Sequence, residues 1–143
     1  MAKPVFVVDA STCLKWVLDD EILVTQARQL LKDHLQGKIS LLAPDLWLYE
    51  VTNGIRSACL RTRITSTTAQ KLLKLLLKSR PETISLKDIL PQVLANALKY
   101  EVSVYDSAYM TLAQINYLPL ISSDQKLAGR PLTGVKLTPL AAY

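Results

Sequence analysis

Short apolar runs alternate with longer stretches of helical spacing along this chain, and no other feature constrains the fold as strongly. Residues 4–8, 39–43, 102–105 and 118–122 are rich in valine, leucine and isoleucine, which predicts buried strands. Strands separated by helices require crossover connections and therefore a mainly parallel sheet. We expect an α/β fold, with helices on both faces of that sheet.

The remaining pattern gives the order of the elements. A first short helix is predicted to start at 9–12 and continue through 13–18. Further helices are predicted from 19–21 to about 36, and at 45–61, 65–80, 87–100, 107–116 and 123–128. Two further short strands are predicted at 83–86 and 135–137. The sequence shows no repeat and no linker, so we expect a single domain over residues 1–143.

Composition excludes several classes of protein. Half of the residues are hydrophobic and 20% are charged, which rules out a disordered chain. No apolar run approaches the roughly 18 residues of a membrane span, and the first residues lack the pattern of a signal peptide. Cys13 and Cys59 lie 46 residues apart, which fits neither a disulfide framework nor a zinc site. We therefore expect a cytoplasmic protein with reduced thiols.

Positive charge is concentrated in one part of the chain. The formal net charge is +5, and residues 51–81 contain seven basic residues and no acid. Two interpretations stay open, namely attraction of a polyanion such as nucleic acid and an ordinary solvated helical surface. The seven basic residues are Arg56, Arg61, Arg63, Lys71, Lys74, Lys78 and Arg80.

Three predicted strands are followed by an aspartate, at Asp9, Asp106 and Asp124. In an open parallel sheet, ligands bind outside the carboxyl ends of the strands, where these carboxylates would meet. The alternative is that each aspartate caps the helix after it, which is worth about 1 kcal/mol. Hydroxyl residues available as caps instead are Ser11, Thr12, Ser107 and Ser123. Their presence weakens the capping interpretation.

A fourth carboxylate lies inside the predicted helix 45–61. Helical spacing places Glu50, Asn53 and Ser57 along one polar strip beside the apolar face. Glu50 either joins the shared pocket or is a partly exposed acid paired with a base such as Arg61. Several carboxylates in one pocket repel one another unless a cation neutralises them, and oxygen ligands suit Mg²⁺ or Mn²⁺. Such a site activates water for attack on a phosphoryl group.

At these residues the chain resembles a PIN-domain nuclease, and within that family the VapC-type toxins of bacterial and archaeal toxin–antitoxin pairs. The matching segments are residues 7–11 (VVDAS), 43–53 (APDLWLYEVTN), 104–109 (VYDSAY) and 120–127 (LISSDQKL). Each segment alone is a weak signal, and the four together span nearly the whole chain. The resemblance implies a PIN-like three-layer α/β/α sandwich with an acidic pocket at the end of a parallel sheet.

The resemblance also implies a function and a set of site residues. It implies a Mg²⁺- or Mn²⁺-dependent endoribonuclease in which activated water attacks RNA in line, leaving a 5′-phosphate and a 3′-hydroxyl. By motif position the catalytic and metal-binding acids are Asp9, Glu50, Asp106 and Asp124. The residues that support the pocket are Ser11, Asn53 and Ser122. The implied partners are an RNA substrate, a second copy in a homodimer and, for a toxin, a small antitoxin protein.

Some residues are open to more than one interpretation. The candidates for RNA phosphate contacts are Lys15, Arg61 and Arg63. The leucine-rich helix 65–80 is apolar around most of its surface, so it is either deeply buried or covered by a partner. His34, the single histidine, is expected to pack or lie at the surface rather than act as a base.

Other functions fit the acids less well. A phosphohydrolase with an aspartyl nucleophile needs a second aspartate two residues after the first, where this chain has Ser11. A dinucleotide-binding fold needs a glycine-rich turn after the first strand, and residues 9–12 contain no glycine. The remaining alternative is a non-catalytic PIN-like module that binds RNA or a protein. An acidic pocket without metal would repel phosphate, which argues against such a module.

Overall fold

Five parallel strands form the centre of the computed structural model, which describes residues 2–124 and 134–143. The strands are β1 (Val5–Val8), β2 (Ser40–Pro44), β3 (Glu82–Ile84), β4 (Leu120–Ser122) and β5 (Leu137–Pro139). They lie in the order β3-β2-β1-β4-β5, and each neighbouring pair is parallel. The predicted α/β fold around a parallel sheet is confirmed.

Six α-helices lie among the described residues. They are α1 (Ala10–Leu14), α2 (Val24–Leu35), α3 (Leu46–Leu60), α4 (Ser66–Lys78), α5 (Leu90–Tyr100) and α6 (Val104–Ile115). Short 3-10 turns cover Lys87–Ile89 and Leu140–Ala142. None of the helices in this part of the chain is both long and apolar enough to cross a membrane.

The strand order reverses at β1, and this reversal determines where a site can form. From β1 the chain passes outward to β2 and β3, and then returns across the sheet to β4 on the other side of β1. Because parallel crossovers are right-handed, the helices of the two halves cover opposite faces of the sheet. Helix α6 packs across β1 and β2, whereas α1 packs on α3. In such sheets ligands bind where the order reverses, here beside the carboxyl ends of β1 and β4.

The two central strands are buried on both faces. Val7 and Val8 of β1 and Leu120 and Ile121 of β4 are completely inaccessible to solvent. They pair in register, Val7 with Leu120 and Val8 with Ile121. Trp47, near the start of α3, is also fully buried. Burial on both sides explains why these strands are continuously apolar instead of alternating.

One predicted strand is a helix in the structure. The prediction of a strand at 102–105 is wrong, because α6 begins at Val104. The side chain of Ser103 accepts a hydrogen bond from the Asp106 backbone N–H at 3.0 Å and so caps the helix. Val104 and Tyr105, whose residue types favour a strand, are exposed residues of the first helical turn. Helix capping therefore outweighs β propensity in this segment.

The other elements match the predicted order with shifted ends. Helix α1 begins at Ala10, within the predicted start at 9–12, but ends at Leu14 rather than at residue 18. Helix α2 begins at Val24 because Leu23 takes a left-handed backbone conformation (φ 58°) that precludes an earlier start. Strands β4 and β5 each begin two residues later than predicted. The helix predicted at 123–128 lies outside the described residues except for its first two positions, which are not helical.

The leucine-rich helix α4 packs mainly inside the molecule. Leu76 is buried, and Leu72, Leu73 and Leu77 pack against the core, whereas Leu75 is exposed. Helix α4 lies against α3. Of the two interpretations, internal packing is the one that fits most of these side chains. A different helix carries the more continuous uncovered leucines, which are Leu90, Leu94 and Leu98 of α5.

Candidate active site

The four predicted acids come from four separate elements that reach the same edge of the sheet. Asp9 directly follows β1, and Asp124 follows β4 by two residues. Glu50 lies in the second turn of α3, which starts at this edge directly after β2. Asp106 lies in the first turn of α6, which starts here too because the chain must return to the opposite edge before it enters β4. Parallel topology thus explains the position of each acid.

Asp9 is held by a set of hydrogen-bond donors. The residue is 7% exposed. Its Oδ1 accepts hydrogen bonds from the Thr12 hydroxyl at 2.6 Å, the Thr12 backbone N–H at 3.0 Å and the Ser11 hydroxyl at 3.1 Å. Its Oδ2 accepts a hydrogen bond from the Ser122 hydroxyl, which comes from the neighbouring strand β4. These donors hold a charged carboxylate in one orientation.

Asp9 also caps α1, so the expectation that hydroxyl residues take over this role is wrong at Asp9. Ser11 and Thr12 instead donate their hydroxyls to the Asp9 carboxylate. Ser107, another residue predicted as a cap, is buried in α6 and donates to the Val93 carbonyl oxygen at 2.7 Å. At Asp9, helix capping and pocket formation use the same hydrogen bonds and are not alternatives.

Glu50 is held by a donor from another helix. Its Oε1 accepts a 2.7 Å hydrogen bond from the hydroxyl of Tyr109, which lies on α6 and is 3% exposed. Burial raises the pKa of Glu50, and the negative charges of Asp106 and Asp9 add to this rise, while the hydrogen bond from Tyr109 opposes it. Glu50 is therefore close enough to Asp106 and Asp9 to be repelled by both.

Sequence reasoning assigns no role in the pocket to Tyr109 or, beyond capping, to Thr12. A signal for Tyr109 exists, because it follows Asp106 by three residues and so shares a helix face with it. Thr12 follows Asp9 by three residues, the spacing at which a cap meets the first helical turn. Burial and the adjacent Glu50 carboxylate raise the pKa of Tyr109, so its hydroxyl remains a donor.

Asp124 is connected to this pocket through Ser122. The Asp124 backbone N–H donates to the Ser122 hydroxyl oxygen at 2.9 Å, and the same hydroxyl donates to Asp9. The Ser123 hydroxyl lies 3.1 Å from the Ser11 hydroxyl. Asp124 also lines a small cavity of about 80 Å³ with Ser122 and Ser123, distinct from the cleft that contains Glu50. Ser11 and Ser122 lie beside Asp9, where residues that support the pocket are predicted.

Glu50 opens to solvent in a cleft of about 300 Å³. The cleft is lined by Tyr49, Glu50 and Asn53 of α3 and by Tyr105 of α6. Asn53 shares the cleft with Glu50, as the polar strip on this helix predicts. A ligand in the cleft would meet a carboxylate, an amide and two aromatic rings.

The three basic residues predicted to contact phosphates lie in different surroundings. Lys15 directly follows α1 and is 6% exposed. Arg63 is paired with Asp20, at 2.6 Å between Nε and Oδ2, and its Nη2 lies 3.8 Å from a Glu21 carboxylate oxygen. Arg61, at the end of α3, is exposed. Arg61 is thus accessible as it stands, whereas Arg63 would have to leave its ion pairs to contact a phosphate.

The donor set suits a divalent cation, although the acids do not form a closed cage. Within 2–124 and 134–143, no group of three or more His, Cys, Asp or Glu side chains is arranged to hold a metal ion. Mg²⁺ does not need a full set of protein ligands, because it usually binds through one or two carboxylates and keeps several waters. Asp9 offers a fixed carboxylate, and Glu50 offers one whose charge a cation would stabilise. The oxygen donors fit Mg²⁺ or Mn²⁺ better than zinc.

Cys13 of α1 and His34 of α2 contribute to packing rather than to chemistry. Burial raises the pKa of the Cys13 thiol well above its usual value, which makes it a poor nucleophile at neutral pH. His34 stacks on Trp16 with 6.5 Å between the ring centroids. The carboxylates therefore remain the groups best suited to chemistry in the described part of the chain.

Comparison with known proteins agrees with this architecture. The PIN domain family model matches residues 6–130. No curated protein matches the chain significantly in sequence. Among solved structures, PAE2754 from Pyrobaculum aerophilum is similar with a TM-score of 0.71 and 23% identity, covering 99% of this chain and 93% of that one.

Two further solved structures share the fold. VapBC2 from Rickettsia felis, bound to a DNA fragment from their promoter, has a TM-score of 0.64 at 11% identity and covers 94% of this chain and 98% of that one. A toxin–antitoxin complex from Klebsiella pneumoniae has a TM-score of 0.57 at 19% identity, covering 92% and 99%. PIN domains are generally nucleases, and these nucleases generally use divalent metals. The family match spans most of the sequence and all four acids, and the chain belongs to the PIN domain family.

Proposed function

We propose that the protein is a Mg²⁺- or Mn²⁺-dependent endoribonuclease that hydrolyses RNA phosphodiester bonds. The observation that carries the proposal is that Asp9, Glu50 and Asp106 reach one edge of the sheet from three elements, where hydroxyl donors hold Asp9 and Tyr109 holds Glu50. Burial raises the pKa of Glu50, and the charges of Asp106 and Asp9 add to this rise. Carboxylates grouped without a cation destabilise one another, and a divalent cation that binds the folded protein reverses this effect. The general activity of the family supports a nuclease.

The acids that would hold the cation are Asp9, Glu50, Asp106 and Asp124. When bound, the cation supplies water activation and polarisation of the phosphoryl oxygen. The chain contributes orientation, because hydroxyl donors fix Asp9 and Tyr109 fixes Glu50. Asn53 lies beside Glu50 and offers an amide donor for a phosphate oxygen. In-line attack by water would leave a 5′-phosphate and a 3′-hydroxyl.

Positive charge outside the acidic pocket supports an RNA substrate. The formal net charge is +5, and exposed Arg61 ends the helix that carries Glu50. Arg63 is a second proposed phosphate contact once it leaves its pairing with Asp20, whereas Lys15, at 6% exposed, could contact a phosphate only if its surroundings open. Contacts of this kind bind the backbone of any nucleic acid and weaken as salt increases. The charge therefore favours a nucleic acid as substrate without selecting a base sequence.

We further propose that the protein is the toxin of a toxin–antitoxin pair and acts in the cytoplasm. Two of the similar folds come from VapBC2 and from a toxin–antitoxin complex, which supports a small antitoxin protein as partner. A homodimer is also proposed. The exposed leucines of α5 support it, because a contiguous apolar surface on a soluble domain commonly marks an interface.

Cleavage of a labelled RNA with and without divalent cation tests the nuclease. We expect the wild type to cut in Mg²⁺ or Mn²⁺ and to stop in EDTA. We expect Asp9→Asn to cut RNA more than about 100-fold more slowly. Mutation of residues that only hydrogen-bond to metal ligands commonly lowers metal affinity or activity by about 10- to 100-fold, and Asp9 is itself a proposed ligand. Glu82→Gln, an exposed residue on β3, is the matched control and should cut like the wild type.

Two results would count against this proposal. Equal cleavage by the wild type and Asp9→Asn that resists EDTA would contradict a metal-dependent site at Asp9. If no RNA is cut and Mn²⁺ leaves the melting temperature unchanged, the non-catalytic binding module becomes the better interpretation, because a ligand that binds only the folded state must raise that temperature.

A further inference from the structure

Helix α4 carries three lysines along one side. Lys71, Lys74 and Lys78 are all exposed, and helical geometry places them within about 60° of one another around the axis. The leucines of α4 that pack against the core lie on the opposite side of the helix. The three lysines therefore form one outward-facing row, which we call the basic stripe.

Arg80 extends the basic stripe at the end of α4. Its Nη1 donates a 2.9 Å hydrogen bond to the Leu77 carbonyl oxygen, which holds the guanidinium of this exposed residue at the last helical turn, beside Lys78. A guanidinium has five N–H donors, so one bond to a carbonyl leaves several for a ligand. The helix dipole favours cations in the last turn, but it does not explain Lys71 and Lys74 further back in the helix.

No acid compensates the charge of the basic stripe. Residues 51–81 contain neither Asp nor Glu. Within 2–124 and 134–143 the three lysines make no ion pair, whereas Arg28, Lys38 and Arg63 each pair with an aspartate. Ordinary solvated helices often place an acid three or four residues from a base, which stabilises the helix. The basic stripe lacks that pattern, so its positive charge is available to an anionic ligand.

The basic stripe ends at the edge of the sheet opposite to the acidic pocket. Arg80 lies two residues before β3, which pairs in parallel with β2, so this end of the stripe lies at the amino edge of the sheet. The four acids lie at the carboxyl edge. None of the described residues that line the Glu50 cleft belongs to α4. The basic stripe is therefore a surface separate from that cleft.

We propose that the basic stripe and Arg80 bind the phosphate backbone of a nucleic acid at a second site, outside the acidic pocket. From Lys71 to Lys78 the helix rises about 10 Å, a length along which each strand of a duplex carries about three phosphates. Lys and Arg contacts to a phosphate backbone need no cavity. A protein partner fits less well, because lysine is depleted at protein interfaces. The inference rests on the proposed nuclease only for the identity of the nucleic acid as RNA, and it adds an anchor for RNA that extends beyond the cleft.

Titration of a long labelled RNA strand in EDTA tests the second site. Without a divalent cation the acidic pocket repels phosphates, so the measured affinity reports the basic surfaces. The stripe variant carries Lys71→Gln, Lys74→Gln and Lys78→Gln. Its Kd should rise by roughly 10- to 100-fold at about 0.1 M salt, the range expected for losing three phosphate contacts. The dependence of log K on log salt concentration should become shallower by about 2, since each single-strand contact contributes about 0.7.

Matched variants separate the position of the charge from its amount. The control variant carries Lys3→Gln, Lys32→Gln and Lys99→Gln, which remove the same three charges from exposed lysines in other parts of the chain, and its Kd should change by less than about threefold. Replacement of all three stripe lysines by arginine keeps the charge and should leave Kd within about twofold of the wild type. A DNA strand of the same sequence should lose about as much affinity as the RNA, because both have a phosphate backbone. Since every substituted lysine is exposed, thermal unfolding should show that all variants are folded.

Cleavage of long and short RNA separates the second site from the pocket. In Mg²⁺ the stripe variant should show a higher KM for the long strand with kcat unchanged, because the stripe holds the substrate away from the reacting phosphate. A strand just long enough to fill the Glu50 cleft should be cut by the stripe variant and the wild type at the same rate. Equal losses on both strands would place the lysines at the pocket and overturn a separate site.

Failure of this inference is distinct from failure of the nuclease. If the stripe variant and the control variant bind the long RNA equally, the inference is overturned, and a loss confined to RNA with DNA unchanged overturns recognition of the backbone. If the wild type binds polyglutamate more tightly than RNA and the stripe variant does not, the stripe is assigned to an acidic protein segment and the inference is also overturned. If the wild type cuts no RNA, the proposed function fails, and the titrations in EDTA still decide: a weaker Kd in the stripe variant alone supports the second site, and an unchanged Kd overturns it.

Discussion

Asp9 and Glu50 belong to the same acidic pocket, yet one follows a strand and the other lies on a helix. Asp9 is buried and accepts four hydrogen bonds, from the helix it caps and from the neighbouring strand. Glu50 opens to a cleft and accepts a hydrogen bond from Tyr109 on a different helix. Hydrogen-bond donors surround the Asp9 carboxylate, whereas burial and then the charges of Asp106 and Asp9 raise the pKa of Glu50. The first acid is fixed by folding, and the second gains most from a cation.

The largest difference between the two acids should appear when each is removed. Asp9→Ala deletes a helix cap and leaves the Thr12 N–H and the buried Ser122 hydroxyl without their acceptor. We expect the free energy of unfolding to fall by about 2 to 4 kcal/mol. Glu50→Ala should cost about 1 kcal/mol or less, because relief of repulsion offsets the lost bond to Tyr109. Urea unfolding in EDTA measures the free energy of unfolding of both variants. Equal losses in the two variants would contradict the proposed difference between Asp9 and Glu50.

A smaller effect should separate the donors that serve each acid. Tyr109→Phe removes the hydroxyl that fixes Glu50 and keeps the buried ring, so we expect about tenfold weaker Mn²⁺ binding. Ser11→Ala removes one of the four donors to Asp9 and should weaken Mn²⁺ binding by less than about threefold. Calorimetric titration measures both affinities. A larger loss in Ser11→Ala than in Tyr109→Phe would show that the remaining donors do not suffice to fix Asp9.

The smallest expected effect is a pH dependence of stability caused by Glu50. Because its pKa is raised in the folded protein, its contribution to stability is fully present below its ordinary pKa of 4.5 and is lost as the pH rises through the folded-state value. In EDTA, Glu50→Gln should melt close to the wild type near pH 4 and above it at pH 7. Glu82→Gln is the exposed control. A difference in melting temperature between Glu50→Gln and the wild type that decreases as the pH rises would contradict this assignment.

The sequence predicts the strand-end acids well, because an apolar run followed by an acid is a local pattern. Asp9 and Asp124 follow β1 and β4 as predicted. Asp106 reaches the same edge for a different reason, since it lies in the first turn of a helix instead of ending a strand. The parallel topology brings both strand ends and the starts of returning helices to one edge, so the position of Asp106 survives the wrong assignment of its element.

The hydrogen bonds of the pocket could not be predicted in the same way. Tyr109 and Glu50 are 59 positions apart, and Ser122 and Asp9 are 113 apart. These contacts depend on how α6 and β4 pack against the rest of the fold, and no local spacing indicates them. The same holds for Arg63, whose pairing with Asp20 appears only once distant loops meet.

Because β4 pairs with β1, the pocket around Asp9 is complete only after the chain has been synthesised through β4. The strand that supplies the Ser122 hydroxyl emerges 113 residues after the aspartate it restrains. A chain that stops before β4 lacks this restraint and holds Asp9 through Ser11 and Thr12 alone.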